Sequence, residues 1–342
     1  MTRAVDPVGP DQVERLRAIV ARRLGLAFDE TKTSMLEELL ERRARRVDQS
    51  VDGFLAALEG GASRQLRELV PELTVGETYF FRNSDQLRAF AETVLPERMR
   101  ARGADRRLRV LSAGCASGEE AYSLSILLHE HLKEPSWEAS VLAVDANPAA
   151  LERAARARFS AWALRETPPD VERRWFKADG RELVLIDAAR TRVTFAERNL
   201  AEEDAQLWAP ATYDVVFCRN VLMYFTPESA RRVVERIERS LVPGGYLFLG
   251  HAETLRGLSG DFHLCHTHGT FYYRRRDGLE GQVTPPSPST NGAPDPPPTA
   301  DGASWAERIR SASDRIETLT APRRPSTPVP SAAPAPRPDL GP

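Results

Sequence analysis

Residues 108–124 read LRVLSAGCASGEEAYSL, in which a strand-like apolar run is followed by a helical pattern. An apolar run ends at Gly114, Gly118 follows four residues later, and a helical pattern begins with Glu119 and Glu120. A strand that turns into a helix through glycines is the layout of a nucleotide-binding βα turn, because glycine readily adopts positive φ angles. The spacing is GxxxG and not GxGxxG, so an ordinary strand-to-helix turn remains an alternative reading of this stretch alone.

Outward from this stretch, apolar runs of strand length alternate with helical patterns. The predicted strands are LRVLSAG, SVLAVDAN, YDVVFCRN, GYLFLGHAE and a last, more polar THGTFYYRRR. The predicted helices between them are GEEAYSLSILLHEHL, PAALERAARARF and PESARRVVERIERSL. Such alternation predicts an α/β fold with a mostly parallel sheet whose two faces are covered by helices.

The alternation is interrupted over residues 156–198, where ADGREL predicts a hairpin turn between two strand-like runs. We therefore expect a small β-subdomain inserted in an α/β domain that spans residues 108–276. Before it, residues 74–107 are predicted to form a linker. Residues 1–73 are predicted to form an all-helical N-terminal domain, because their apolar residues recur at helical spacing.

The last segment, residues 277–342, contains fifteen of the 26 prolines in the chain. Such a composition cannot bury enough apolar surface to fold, so a disordered tail is predicted. Residues 304–319 could form a short amphipathic helix within it.

Composition excludes several classes of function. A net charge of −2 disfavours a protein that binds nucleic acid through its phosphates. The three cysteines are far apart and lack CxxC spacing, which indicates reduced thiols in a cytoplasmic protein. No apolar run reaches the roughly 18 residues that a membrane span needs. The late histidines include an HxxHxH pattern at residues 263–268, but no metal is predicted.

Asp145 ends the second predicted strand, where an acid in such folds accepts hydrogen bonds from ribose hydroxyls. Glu119 and Glu120 would repel a phosphate at the helix N-terminus and attract a cationic ligand. S-adenosylmethionine fits this pattern, because it has a sulfonium, an α-amino group and a ribose but no phosphate. The alternatives are that Asp145 caps the helix that begins at Asn147–Pro148 and that the glutamates only complement the helix dipole.

Other candidate residues come from the ends of further predicted strands. Because ligands bind at the carboxyl ends of strands in open α/β sheets, these ends are expected to converge on one site. The residues are Asn199, Leu200, Arg219, Asn220 and, one turn later, Tyr224. TVGETYFFR (74–82) adds hydroxyls, aromatic residues and Arg82, although its aromatic side chains could equally belong to the core.

Taken together, these segments resemble the CheR family, the chemoreceptor glutamate O-methyltransferases. The resemblance covers roughly residues 10–276 and rests on motifs that occur in the family's order. They are TVGETYFFR, SAGCASGEEAYSL, AVDAN, the Asn199–Leu200 pair, FCRNVLMYF and LVPGGYLFLGHAE. It implies a Rossmann-like S-adenosylmethionine-dependent methyltransferase domain with a small β-subdomain, preceded by a helical domain.

The resemblance also implies roles for individual residues. Arg82 and Tyr224 would be catalytic, Tyr224 by helping to place the receptor glutamate. Glu119 would face the methionine amino end and Asp145 the ribose. The cofactor-binding positions it implies are Gly76, Thr78, Arg82, Gly114, Glu119, Asp145, Asn199, Leu200, Arg219 and Asn220. At Gly76 the family usually has asparagine, so one side-chain contact with the cofactor is missing here.

The implied reaction is methyl transfer from S-adenosylmethionine to glutamate side chains of a chemoreceptor's helical signalling domain, with S-adenosylhomocysteine as the other product. The glutamate carboxylate is already ionised at neutral pH, since its reference pKa is about 4.3, so no general base is needed. The alternatives are a methyltransferase for another substrate and a non-catalytic adaptor that binds S-adenosylmethionine or a receptor.

Two expectations concern how the receptor is held. A basic helix end could steer an acidic receptor, or its cations could simply complement the helix dipole. Its residues are Arg42, Arg43, Arg45 and Arg46. The short turn at Ala178–Glu182 lacks the longer loop of family members that dock a receptor's C-terminal pentapeptide, so no pentapeptide tether is expected. We expect a monomer.

Overall fold

The computed structural model describes residues 8–276; the predictions for the tail and for residues 304–319 lie outside the described residues. The chain begins with four helices, which we call the helical unit. They are α1 (Pro10–Leu24), α2 (Thr33–Arg46), α3 (Val51–Glu59) and α4 (Ser63–Leu73). Their apolar stripes meet in a separate core that includes Leu16, Leu36 and Phe54. Full burial of each such side chain stabilises the unit by about 1.5–3 kcal/mol.

Helix α1 shows why its sequence ends where it does. Pro10 occupies the first turn, where its missing N–H is not needed. Gly25 ends the helix with φ +75, and its N–H donates to the carbonyl of Ala21. A side chain at Gly25 would also collide with Ala201, since its Cβ would lie 2.8 Å from the Ala201 Cβ. The glycine therefore lets the helical unit approach the rest of the chain closely.

Residues 74–107 were predicted to form a linker, but most of them form helices. A nearly continuous helical run follows the FFR segment, by which we mean residues 74–82. It consists of α5 (Ser84–Ala89), a π-helical turn (Phe90–Val94) and α6 (Leu95–Ala101). It packs against the sheet, and the Phe90 ring lies 5.5 Å from that of Phe217. Tertiary packing therefore gives this stretch a structural role that its position between two domains did not suggest.

The main sheet has seven strands in the order β6-β2-β1-β7-β8-β10-β9. They are β1 (Arg107–Ala113), β2 (Glu138–Asp145), β6 (Val193–Glu197), β7 (Tyr213–Cys218), β8 (Leu241–Leu249), β9 (Phe262–Thr267) and β10 (Thr270–Arg275). The first five pair in parallel. From β1 the chain adds β2 and then β6 on one side, and it then crosses to the other side of β1, where β7 lies. The switch point therefore falls between β1 and β7, where open α/β sheets bind ligands.

Helices join these strands as the sequence predicts. They are α7 (Glu119–His131), α8 (Pro148–Arg156) and α11 (Pro227–Ser240). The side chains of Asn147 and Thr226 cap the last two by accepting hydrogen bonds from backbone N–H groups. No helix among residues 8–276 is long and apolar enough to span a bilayer.

The inserted β-subdomain is smaller than the predicted 156–198. A second, antiparallel sheet has the order β3-β5-β4. Its strands are β3 (Arg158–Ser160), β4 (Phe176–Asp179) and β5 (Glu182–Leu185), with the short helices α9 (Pro169–Trp175) and α10 (Asp187–Arg190) beside them. The hairpin at ADGREL is confirmed. The upper boundary is wrong, because β6 pairs with β2 in the main sheet.

The polar run THGTFYYRRR is a hairpin and not a single strand. Its first residue ends β9, His268 and Gly269 form the turn with φ +52 and +70, and β10 follows. The segment FHLCHT lacked the continuous apolar run of the buried strands, which explains why β9 was not predicted. Strand β8 likewise begins earlier than predicted, at Leu241.

Candidate functional site

One pocket, with a cavity of about 280 Å³, lies at the carboxyl edge of the main sheet. It is bounded by the ends of β1, β2, β6 and β7, by the FFR segment and by the end of α1. Most residues that the sequence analysis singled out as cofactor-binding or catalytic line it. They are Gly76, Thr78, Arg82, Gly114, Asp145, Asn199, Leu200, Arg219, Asn220 and Tyr224.

The turn after β1 brings backbone into the pocket. Gly114 has φ +80 and Gly118 has φ +95, a region that side chains rarely adopt. The N–H of Gly114 donates to the carbonyl of Val144 at 2.8 Å, which fixes the turn against β2. A Cβ at Gly114 would lie 2.5 Å from Cγ2 of Val221. Glycine is therefore required here both by the backbone conformation and by the approach of the loop after β7.

Asp145 holds this turn in place. Its Oδ2 accepts a hydrogen bond from the N–H of Ala116, and its Oδ1 accepts one from the N–H of Asn147, both at 2.8 Å. Asn147, and not Asp145, caps α8, since its Oδ1 accepts from the N–H of Ala150. Burial raises the pKa of the Asp145 carboxyl, and the two backbone donors oppose that rise. The capping alternative for Asp145 is therefore wrong.

Of the two glutamates at the start of α7, Glu120 lines the pocket and Glu119 does not. The reason is geometric, because neighbouring residues on a helix point about 100° apart. Glu119 is buried to one side, where its carboxylate accepts from the hydroxyl of Ser117, and burial raises its pKa. The structure thus corrects the assignment of Glu119 to the pocket wall and places Glu120 there.

Glu120 forms a buried ion pair with Arg219 across the pocket floor. Nη1 of Arg219 lies 3.2 Å from Oε2 of Glu120, and the arginine side chain is only 2% exposed. Nη2 of Arg219 donates to the carbonyl of Arg82 at 2.7 Å. Nε of Arg219 and Oδ1 of Asn220 are buried without a hydrogen-bond partner among the described residues. Since buried polar groups are normally paired, a donor and an acceptor at this end are suited to a polar ligand.

The loop after β7 is held by a residue that the sequence analysis missed. The carboxylate of Glu253 accepts hydrogen bonds from four backbone N–H groups, those of Asn220, Val221, Met223 and Gly250. Asn220 has φ +57, so the loop is strained and needs such support. The residues His251–Glu253 after β8 show no sequence pattern that predicts this role, because the role depends on how two loops meet in the fold.

The FFR segment divides its aromatic residues between the core and the pocket rim. Phe80 is fully buried and packs edge-to-face on Phe159 at 4.7 Å, so the core alternative is correct for this residue. Tyr79 is half-buried, and the Arg165 guanidinium lies 3.7 Å from its ring centroid. Arg82 lines the pocket, and its Nη1 donates to the carbonyl of Glu77 at 3.0 Å.

The helical unit completes the pocket wall, which sequence reasoning did not foresee. Leu24 and Leu26 line the cavity, and Leu26 forms a β-bridge with Phe225. Nδ2 of Asn199 donates to the carbonyl of Arg23 at 2.8 Å. The part that Leu26 plays depends entirely on tertiary contacts, so no local signal could have revealed it.

The basic end of α2 is only partly available to a partner. Arg43 is buried, and its Nε donates to Oε1 of Glu72 at 2.6 Å. Arg42 also bonds to Glu72, and Arg45 bonds to Glu41. Arg43 therefore cannot contact a receptor as predicted, because its charge is used inside the helical unit. Arg45 and Arg46 are exposed, and their steering role stays a prediction.

Other reactive groups are not poised for chemistry. Cys115 lines the pocket, but burial raises the pKa of its thiol well above the usual value, as it does for Cys218. A neutral thiol is a poor nucleophile. No group of three or more histidine, cysteine or acidic side chains within residues 8–276 could hold a metal.

The sequence of the chain is similar to those of several known proteins. A family model described as "CheR methyltransferase, SAM binding domain" matches residues 76–271. Chemotaxis protein methyltransferase 2 of Vibrio cholerae is 36% identical over 270 residues, which cover 77% of this chain and 93% of the relative. Chemotaxis protein methyltransferase 1 of Pseudomonas aeruginosa is 32% identical over 274 residues, 77% of this chain and 97% of the relative.

Among solved structures, the chain is similar to magnesium protoporphyrin IX methyltransferase from Synechocystis with bound S-adenosylmethionine. The identity is 20%, the overlap is 62% of this chain and 90% of that one, and the TM-score is 0.30. A score this low adds nothing to the comparison of sequences.

Proposed function

The chain belongs to the CheR methyltransferase family, and from this we propose that it methylates glutamate side chains in the helical signalling domain of a chemoreceptor. It is an enzyme that uses S-adenosylmethionine, and its products are a glutamyl methyl ester and S-adenosylhomocysteine. The observation that carries the assignment of the site is the buried Glu120–Arg219 pair with two unpartnered polar atoms beside it.

These groups suit the amino-acid end of the cofactor. A methionine zwitterion has one ammonium and one carboxylate, so it needs an anion or acceptor and a cation or donor close together. Glu120 and Oδ1 of Asn220 would face the ammonium group, and Nε of Arg219 would face the carboxylate. The cofactor's adenosine would then lie between Asp145 and the wall formed by Leu26, Asn199 and Leu200.

The same arrangement explains how catalysis would proceed without a base. S-adenosylmethionine supplies a methyl group on a sulfonium, and the ionised glutamate of the receptor attacks it. The protein's task is to strip water from that carboxylate and align it, which can be worth on the order of 7–11 kcal/mol. Arg82 would orient the carboxylate at the rim, and the half-exposed Tyr224 would pack beside it.

A labelling experiment tests the proposal against its alternatives. Purified protein is incubated with methyl-labelled S-adenosylmethionine and the signalling domain of a chemoreceptor from the same organism. We expect label in the receptor that mild base releases as methanol, since esters hydrolyse under these conditions. Base-stable label would indicate a different acceptor atom. Cofactor binding without any labelling would favour the adaptor alternative.

The cofactor site has a matched pair of variants on one helix. We expect Glu120→Gln to weaken binding of S-adenosylhomocysteine about tenfold, because it removes a charge-assisted contact worth about 1.5–3 kcal/mol. Glu119→Gln, one residue earlier and outside the pocket wall, should bind within about twofold of wild type, since it keeps the hydrogen-bonding shape. Isothermal titration calorimetry measures both. A larger loss of affinity in Glu119→Gln than in Glu120→Gln would show that Glu119 is the cofactor-binding residue.

Glu253 gives a second prediction, on the support of the loop after β7. Glu253→Ala leaves four backbone N–H groups without their acceptor, so we expect about tenfold weaker binding of S-adenosylhomocysteine and a lower melting temperature. Glu253→Gln keeps one acceptor oxygen, so its affinity and melting temperature should lie between those of wild type and Glu253→Ala. Glu228→Ala, an exposed residue on α11, serves as control and should match wild type. Unchanged affinity in Glu253→Ala would show that the loop holds its shape unaided.

Several partner expectations belong to the same proposal. The two-residue turn at Gly180–Arg181 between β4 and β5 supports the absence of a pentapeptide tether. A monomer in the cytoplasm, without nucleic acid as a partner and without insertion into a membrane, remains the expected state. Sedimentation analysis of the purified chain checks the monomer.

A further inference from the structure

Exposed apolar side chains form part of the rim of the pocket. Among residues 8–276, six large apolar side chains are at least 37% exposed; three of them line the cavity, and a fourth is joined to the cavity residue Glu77 through Arg165. Val75, Met223 and Tyr224 line the cavity itself. The fourth is Trp162, which is 72% exposed and is the most exposed of the six. Single exposed apolar residues are ordinary, but a group around one opening marks a binding surface.

Trp162 is joined to the pocket through Arg165. The Arg165 guanidinium lies 4.4 Å from the Trp162 ring and 3.7 Å from the Tyr79 ring, so it sits between the two aromatic side chains. Its Nη2 lies 3.8 Å from a carboxylate oxygen of Glu77, which lines the cavity. The backbone N–H of Phe80 also donates to the carbonyl of Ala163 at 2.9 Å. Trp162 is therefore held next to the rim although it is exposed.

The proposed reaction requires that this rim be covered during turnover. A glutamate side chain is short, so the helix that carries it must lie against the opening before the carboxylate can enter. A helix with its side chains is about 10–12 Å wide, which is enough to contact side chains on several sides of one opening. Arg82 and Arg165 add positive charge on the same side, which suits a partner that presents a carboxylate.

We propose that Val75, Trp162, Met223 and Tyr224 form an apolar collar that binds the receptor helix carrying the target glutamate, with Trp162 as its main contact. This inference rests on the proposed function and names the surface through which the substrate is held. Aromatic residues and arginine are the residue types that dominate the energy of protein interfaces. The collar differs from the basic end of α2, which would act at longer range and through charge alone.

The test is steady-state methylation of a chemoreceptor signalling domain by the full-length chain. We expect Trp162→Ala to raise KM for the receptor about tenfold, with kcat and the affinity for S-adenosylhomocysteine unchanged. Trp162→Phe should restore most of the loss. The increase in KM should persist as salt is raised from roughly 50 to 300 mM, because apolar contacts are not screened. An effect of electrostatic steering would instead diminish over that range.

Phe271→Ala is the matched control. Phe271 is 57% exposed on β10 and does not line the pocket, so its removal should leave KM unchanged. If Trp162→Ala keeps the wild-type KM, or if both variants raise KM equally, the collar is refuted. If the wild-type chain methylates no receptor domain, the proposed function fails and the collar is withdrawn with it. Calorimetry with S-adenosylhomocysteine verifies that each variant is folded.

Discussion

We expect Arg82→Ala to lower kcat for methyl transfer about 100-fold, a loss of about 2.7 kcal/mol, while the affinity for S-adenosylhomocysteine stays within about threefold of wild type. The physical reason is alignment. The backbone carbonyl of Glu77 fixes the Arg82 guanidinium at the pocket wall, where it can hold an incoming carboxylate in line with the methyl group. Without it the carboxylate would enter in many orientations, most of them unreactive.

Steady-state kinetics with labelled S-adenosylmethionine measures the rate, and calorimetry measures the affinity. Arg82→Lys keeps the charge but not the planar fork, so it should recover only part of the rate. Arg88→Ala is the control, since Arg88 is exposed on α5 and pairs with Asp85 and Glu92 away from the cavity. Full activity in Arg82→Ala would remove the residue from catalysis. Loss of cofactor affinity equal to the loss of rate would make Arg82 a binding residue instead.

The second large effect is expected from Gly114→Ala, which should weaken binding of S-adenosylhomocysteine about 100-fold. The new Cβ would lie 2.5 Å from Cγ2 of Val221, far inside a normal contact. Val221 cannot simply retreat, because its backbone N–H donates to Glu253 at 2.9 Å. Relief therefore requires moving either the turn after β1 or the loop that carries Asn220. Both of these segments line the pocket.

Gly257→Ala is a control that distinguishes the effect of the steric collision at Gly114 from the effect of backbone strain. Gly257 has the same φ of +80, but a Cβ there would meet nothing within 4 Å. Both variants should lose about 1–2 kcal/mol of stability from the left-handed conformation, whereas only Gly114→Ala should lose affinity. Calorimetry and thermal unfolding report the two effects separately. Equal affinities in the two variants would mean that the close approach to Val221 does not shape the pocket.

Local sequence signals predicted the parts of the site that lie at strand ends. Gly114, Asp145 and Asn220 each follow an apolar run, and the parallel order of the strands brings such ends to one edge. The resemblance implied Glu119, whereas Glu120 lines the pocket; both belong to the first turn of α7, and only the packing of that helix decides which faces inward.

What the sequence did not reveal depends on contacts between distant segments. Leu26 reaches the cavity because the segment after α1 pairs with the loop that contains Phe225. Glu253 acts on backbone groups more than thirty residues earlier in the chain. The exposure of Trp162 could not be foreseen, since a tryptophan in a sequence normally signals core. Strand β9 was missed because its edge position removes the need for a continuous apolar run.

The contact between Leu26 and Phe225 limits which chimaeras of this protein and its relatives can be functional. A chimaera that replaces the first four helices with those of a relative would at the same time replace Leu24 and Leu26, which line one side of the pocket. Such a graft should recover activity only if it also carries the glycine at position 25, whose Cβ-free surface admits Ala201. An exchange of the helical unit therefore has to preserve the contacts of Gly25 and Leu26 with Ala201 and Phe225.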